Sequence, residues 1–239
     1  RRNQKFWTEI DKLMEQVQYL EFTGGEPFMI QEHFDLLQRM VDRGIAHNVE
    51  IHYNTNGTQF PEHAEEIWKN FKLVEIAFSI DDVEERFEYQ RANAVWDEVN
   101  TNMDRFESMR NRNTNIQLQV CSTVNVFNVL YLEELANWID QRSFDYVYWN
   151  MLHEAYYHSV GTLPERAKEL VSKKLLSANV SDFHMKEFVK IVDFMQSGAS
   201  LDGNILRMKI TDVDWRRQQD LRTHHSELAD AIDYEGPRT

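Results

Sequence analysis

The chain has 239 residues, 42% hydrophobic and 12% aromatic, which suits one large packed domain, or one domain with a small appendage, and excludes a disordered polymer. A formal net charge of −14 argues against nucleic acid as a main partner, and the absence of any 18-residue apolar run argues against a membrane one. One cysteine rules out an intrachain disulfide and, with no secretory h-region at the start, points to a reducing cytoplasm.

Phe6, Trp7, Ile10, Leu13, Met14 and Val17 recur at helical spacing, so the chain opens in or just before a helix. It begins Arg1-Arg2-Asn3 without an initiator Met, so an incomplete or processed chain is expected. A strand over 17–22 runs into Thr23-Gly24-Gly25-Glu26-Pro27. A helix with Phe34, Leu37 and Val41 on one face stops at Gly44. The strand 49–53 leads into Asn54-Thr55-Asn56-Gly57, and Pro61 opens a short helix through Trp68. The strand 73–80 ends in Phe78-Ser79-Ile80-Asp81, with Arg91 ten residues beyond Asp81. Val95, Trp96, Val99, Met103 and Phe106 mark an amphipathic helix. Ile116, Leu118 and Val120 alternate as a strand, Leu132, Leu135, Ala136 and Ile139 form a helical stripe, and 146–152 is a fifth strand.

After residue 153 the pattern changes. One helix begins at Pro164 and carries Ala167, Leu170, Val171 and Leu175, and another carries Phe183, Phe188, Ile191, Val192 and Met195. The polar bend 197–200 and a charged helical tail over 212–232 follow. Strands alternating with helices predict βαβ units and a parallel sheet. Ligands of such sheets sit at the carboxyl ends of the strands, where every polar segment named above falls.

Local chemistry narrows the ligand. Gly24 and Gly25 leave backbone amides bare for close approach, Glu26 accepts hydrogen bonds from an ammonium group, and Pro27 fixes the exit of the turn. Such a set suits a small zwitterion, and its bland counterpart is an ordinary strand-to-helix turn. Asn56-Gly57 alone is a turn, and Arg91 alone reads equally well as an ion-pair partner of Glu85 or Glu88.

In order and spacing, GGEP, TNG, SID and a trailing Arg resemble the radical S-adenosylmethionine (SAM) superfamily, most closely members with a C-terminal twitch (half-SPASM) domain. The resemblance implies an α/β fold, a partial (β/α)6 TIM-like barrel of parallel strands over 1–153 with its first strand absent, and a mostly helical twitch-like extension over 154–239. It implies a single pocket in which Gly24, Gly25 and Glu26 meet the SAM amino group, with Pro27, Thr55 and Asn56 also lining the cofactor site. Ser79 and Asp81 would face the ribose or methionine moiety, Arg91 the carboxylate, and Thr123 and Asn125, in the segment 120–125, the adenine. A four-iron four-sulfur cluster on an N-terminal CxxxCxxC loop belongs to the family pattern. This chain departs from it, because its one cysteine, Cys121, lies on a different predicted strand. The cluster and an electron donor such as flavodoxin or ferredoxin are therefore expected only of a full-length form, and no auxiliary cluster is expected after residue 153.

The remaining candidates read as structure. Cys121 on an apolar strand is expected to be a buried thiol. His224 and His225 diverge on a helix, and His47 and His52 lack a third ligand, so no metal site is predicted. Glu62, Glu65 and Glu66 read as a solvated helix face. Tyr146, Tyr148, Trp149, Tyr156 and Tyr157 read as packing, although Tyr148, Asn150 and Leu152 share one face that can point toward substrate. The leading expectation is the body of a radical SAM enzyme acting on a peptide or small metabolite, inactive without the cluster cysteines. The alternatives are a non-catalytic SAM-binding or interaction module of the same fold and, last, an acid–base hydrolase using Glu26 and Asp81.

Overall fold

The computed structural model describes residues 4–153, 155–201 and 203–237. Of the first helical stripe, the side chains of Phe6 and Trp7 lie outside the described set, as does the Arg1-Arg2-Asn3 opening. In chain order the elements are α1 (Gln4–Leu13), β1 (Tyr19–Phe22), α2 (Gln31–Asp42), β2 (Glu50–Thr55), α3 (Ala64–Trp68), β3 (Leu73–Ser79), α4 (Glu84–Gln90) and α5 (Trp96–Arg112). They continue with β4 (Ile116–Val124), α6 (Leu132–Asp140), β5 (Tyr146–Met151), α7 (Glu165–Leu176), α8 (Asp182–Ser197), α9 (Gly203–Arg217), α10 (Leu221–His224) and α11 (Ser226–Ala231). Five parallel strands form one sheet in the order β1-β2-β3-β4-β5, the sequential order of a partial (β/α) barrel. The register pairs Glu21 with His52 and His52 with Glu75, so alternate residues of β1, β2 and β3 share a face. No described helix is long and apolar enough to cross a membrane.

The chain divides into two compact units. The first comprises Arg1–Ser79, Glu98–Val120 and Phe144–Tyr146, and the second Ile80–Asp97, Cys121–Ser143 and Val147–Thr239. In the first, Leu37 and Met40 of α2, Ile51 and Tyr53 of β2, Ile76 and Phe78 of β3, and Met103 and Phe106 of α5 are fully buried. Each such side chain contributes roughly 1.5–3 kcal/mol. Trp68 donates its indole N–H to the Tyr53 hydroxyl at 3.2 Å, which satisfies the polar handle of a fully buried ring. In the second, the Leu132, Leu135, Ala136 and Ile139 stripe of α6 is buried as its spacing predicts, as are Phe188, Ile191 and Met195 of α8. Trp149 donates to His184 Nδ1 at 3.3 Å, and the other nitrogen of that buried ring meets Asp140 at 3.0 Å.

Several expectations are corrected in detail. The helix expected from Pro61 begins at Ala64, because the Pro61 carbonyl first closes a turn onto the Ala64 amide at 3.0 Å. Phe183 on α8 is exposed. Tyr146 and Tyr148 are also exposed, since β5 buries only the face carrying Trp149, and Tyr156, beyond the strand, is exposed with its ring edge against Tyr157. Helix α4 carries no apolar stripe, only Phe87 and Tyr89 buried, and Arg86 on it pairs with Asp82, just ahead of the helix, at 3.1 Å. Helix α9 starts well before the tail at 212 suggests, at Gly203, and its buried face runs Leu206, Ile210, Asp214, so a carboxylate interrupts the apolar period.

Candidate functional site

In the first unit, β1 ends in a turn whose glycines take φ of +80° at Gly24 and +64° at Gly25. Side-chain-bearing residues rarely hold two successive left-handed conformations. No atom lies within 4 Å of where a Cβ would stand on either glycine, so this backbone faces open space. Pro27 is buried and starts a short turn, Pro27–Met29, over the ring cluster of Phe28, Tyr53, Trp68 and Phe106.

Glu26, only 9% exposed, does more than the motif suggests. Its Oε1 accepts from the Thr55 hydroxyl at 2.8 Å and the Phe28 amide at 3.3 Å, and its Oε2 accepts from the Asn56 amide at 3.0 Å. The end of β1 is thereby latched to the end of β2. Thr55 also accepts from the Gly57 amide at 3.1 Å, and the Asn56 side chain accepts from both Thr58 donors at 2.9 and 2.7 Å. A carboxylate offers about four acceptor sites. Three are occupied, which leaves room for one further donor. Ser79 stands half-buried as the last residue of β3. On one face of this sheet His52 meets Glu75 at 3.3 Å, and Gln119 donates to Glu75 at 3.0 Å.

In the second unit, Asp81 gathers three predicted residues into one network. Its Oδ2 holds Arg91 Nη2 at 2.6 Å, and its Oδ1 accepts the Thr123 amide at 2.7 Å. Arg91 therefore pairs with Asp81 and not with Glu85 or Glu88. Glu85 meets His224, and Glu88 caps the Trp96 amide. Arg91 Nε is buried with no partner among the described residues. Asn128, which sequence reasoning missed, donates to the carbonyls of Asp81 and Thr123 and accepts from the Asn125 amide. Asn125 in turn donates to Gln90 at 3.2 Å and the Thr123 carbonyl at 3.0 Å. The Asn-x-x-Asn spacing after β4 was the available signal, because short amides favour such turn bonding.

Asp82, also missed, is fully buried beside Asp81. Burial is the main cause that pushes its carboxyl up to about 7, against the opposing pull of Arg86 and the Val83 amide. A cavity of about 210 Å³ opens against Asp81, Gln90 and Asn125, with His158, Lys209 and Arg217 also lining it. Leu152, expected to face substrate, lines it too, whereas Tyr148 and Asn150 do not.

Cys121 is half-buried and not enclosed, since it alternates onto the less covered face of β4. Its thiol is pushed up by burial and by the Asp81 charge, so it is no activated nucleophile. His224 and His225 diverge as expected. The former meets Glu85, and the latter is buried among Tyr89, Phe127 and Tyr131. Among the described residues no group of three or more His, Cys, Asp or Glu is placed to hold a metal ion. With one thiol in the chain, the residues present do not fit an iron–sulfur cluster. Each unit by itself keeps unfilled polar capacity. The first has the open glycine turn at Gly24–Gly25 and the spare site on Glu26, and the second has the unpartnered Arg91 Nε.

The model of the Radical SAM superfamily matches residues 5–141, more than half of the chain. No curated protein matches the sequence. Among solved structures, native anSMEcpe with bound AdoMet is similar over 80% of this chain and 54% of its own, at 15% identity and a TM-score of 0.50. A hexahistidine-tagged form of anSMEcpe with bound AdoMet is similar over 87% and 55%, at 13% identity and the same score of 0.50. Native anSMEcpe with bound AdoMet and Cp18Cys peptide is similar over 84% and 57%, at 15% identity and a TM-score of 0.49. This chain thus spans a little over half the length of these structures, and its likeness to the two with a score of 0.50 is one of fold.

Proposed function

This chain belongs to the radical SAM superfamily, and from that premise we propose that it is the SAM-binding body of an enzyme that abstracts hydrogen from a peptide or small metabolite. The observation that carries the proposal is Arg91. Asp81 fixes its guanidinium through Nη2 while Nε stays buried and unpartnered, a donor kept for an anionic ligand. In this reading Arg91 receives the SAM carboxylate. Glu26 gives its spare acceptor site to the ammonium group, and the bare amides at Gly24 and Gly25 line the approach. Thr55 and Asn56 hold Glu26 in place, Ser79 and Asp81 face the ribose or methionine moiety, and Thr123 and Asn125 the adenine. Bound SAM supplies the capacity for hydrogen abstraction once an electron reaches it. The protein's part is to hold, orient and exclude water. Residues 1–153 form the barrel body in this reading and 154–239 a twitch-like extension.

A protein holding three further cysteines in a CxxxCxxC loop, prepared without oxygen, is expected to show bound iron, a broad visible absorbance and reductive release of 5′-deoxyadenosine. Arg91→Ala in that protein is expected to abolish the release. A second reading is a non-catalytic module that keeps the SAM pocket alone. A native protein with no iron and no such absorbance, yet retaining SAM on equilibrium dialysis, would establish it. The hydrolase reading finds no support, since three internal donors occupy the Glu26 carboxylate and Arg91 holds that of Asp81.

A further inference from the structure

We propose that the cavity beside Asp81 and Asn125 is an oxyanion site, built by Lys209 and Arg217 of α9, that takes the carboxylate end of the substrate. Lys209, Val213 and Arg217 follow at intervals of four, so one face of α9 presents all three to the cavity. No carboxylate pairs with Lys209 or Arg217 among the described residues. Arg217 spends one donor on the Tyr89 carbonyl at 3.0 Å, which anchors its guanidinium and leaves the others free. The Lys209 ammonium lies 5.2 Å from the centre of the Tyr157 ring.

The remaining charges around the cavity do not cancel these two. Asp81 is neutralised by Arg91 at 2.6 Å, Gln90 and Asn125 are neutral, and His158 is held toward its neutral form by burial and by Lys209. Two cations with no carboxylate partner among the described residues, in a chain of net charge −14, make this a basic spot on an acidic protein, open to an anion. The volume of about 210 Å³ equals roughly seven waters, enough for a carboxylate and a short carbon chain. The site stands on this geometry alone. Its assignment to substrate rests on the reading of the chain as a SAM-binding body.

The test follows the His158 ring by nuclear magnetic resonance, with succinate, inorganic phosphate and adenosine as probes and sodium chloride at matched ionic strength. Succinate is expected to raise the His158 pKa by about 0.5, because a bound anion favours imidazolium. The double variant Lys209→Gln/Arg217→Gln, changed only at exposed positions, is expected to bind succinate at least tenfold more weakly. A stronger response to phosphate would assign the same site to a phosphate-bearing substrate. A response to adenosine and to neither anion, or an undiminished succinate response in the double variant, overturns the proposal. SAM retention, measured by equilibrium dialysis on the same samples, separates the two readings. SAM retained with no succinate response overturns the anion site alone. A succinate response without SAM retention overturns the SAM reading and leaves the anion site standing.

Discussion

Glu26 and Asp81 are alike in place and unlike in use. Each is a carboxylate 9% exposed, just beyond the carboxyl end of a strand, β1 for one and β3 for the other. Glu26 is met by three neutral donors, Thr55, Asn56 and Phe28, all drawn from the protein itself. Asp81 is met by a backbone amide and by a cation that keeps a buried donor in reserve. A carboxylate satisfied by neutral groups belongs mainly to the fold. One that positions a cation with spare hydrogen-bonding capacity is the kind on which the proposed ligand role draws.

The comparison breaks most readily at Glu26. Glu26→Ala leaves three donors without their acceptor, at about 1 kcal/mol each, so a loss of about 3 kcal/mol is expected. For a chain of this size that is a fall in melting temperature of roughly 10 °C. An unchanged thermal melt would mean that the latch is not structural.

The next effect tests whether burial acts through titration. His225 is fully buried with both ring nitrogens unpartnered, and burial pulls its pKa down to about 3. The unfolded chain takes up a proton near 6.5 that the folded one refuses. Stability is therefore complete above that pH and is lost as pH falls from 6.5 toward 3. Between about pH 7 and about pH 5 the wild type is expected to lose about 2 kcal/mol more than His225→Phe, read from urea midpoints at the two pH values. Asp82 has the opposite sign. Its raised pKa means that its share of stability is present at low pH and declines as pH rises toward 7. In Asp82→Asn that decline is expected to vanish.

Arg91→Ala sharpens the contrast from the other side. Its pair with Asp81 is mostly buried, so the stability loss is expected to be about 2 kcal/mol. SAM retention on dialysis should fall at least tenfold, the reverse of the balance at Glu26. The smallest effect is at Cys121, where alkylation by iodoacetamide at about pH 8 is expected to run several-fold slower than for an exposed thiol, since its raised pKa leaves less thiolate.

Hydropathy period and turn chemistry were enough to read all five strands, the helices of the alternating region except α4, and the polar segments at the strand ends. These are local quantities: a strand's alternation and a Gly-Gly turn depend on neighbours in sequence. Resemblance in the order of GGEP, TNG, SID and Arg carried the family. What the sequence left dark was partnership. It did not reveal that Glu26 serves Thr55 and Asn56, that Arg91 prefers Asp81 to its nearer glutamates, or that Asp82 and Asn128 lie buried in the same region. Nor did it single out Lys209, which lies ahead of the expected charged tail, or Arg217, which lies within it, until α9 sets both beside Asp81. Hydrogen bonds and ion pairs between residues tens of positions apart follow from how the backbone folds, and no local period encodes them.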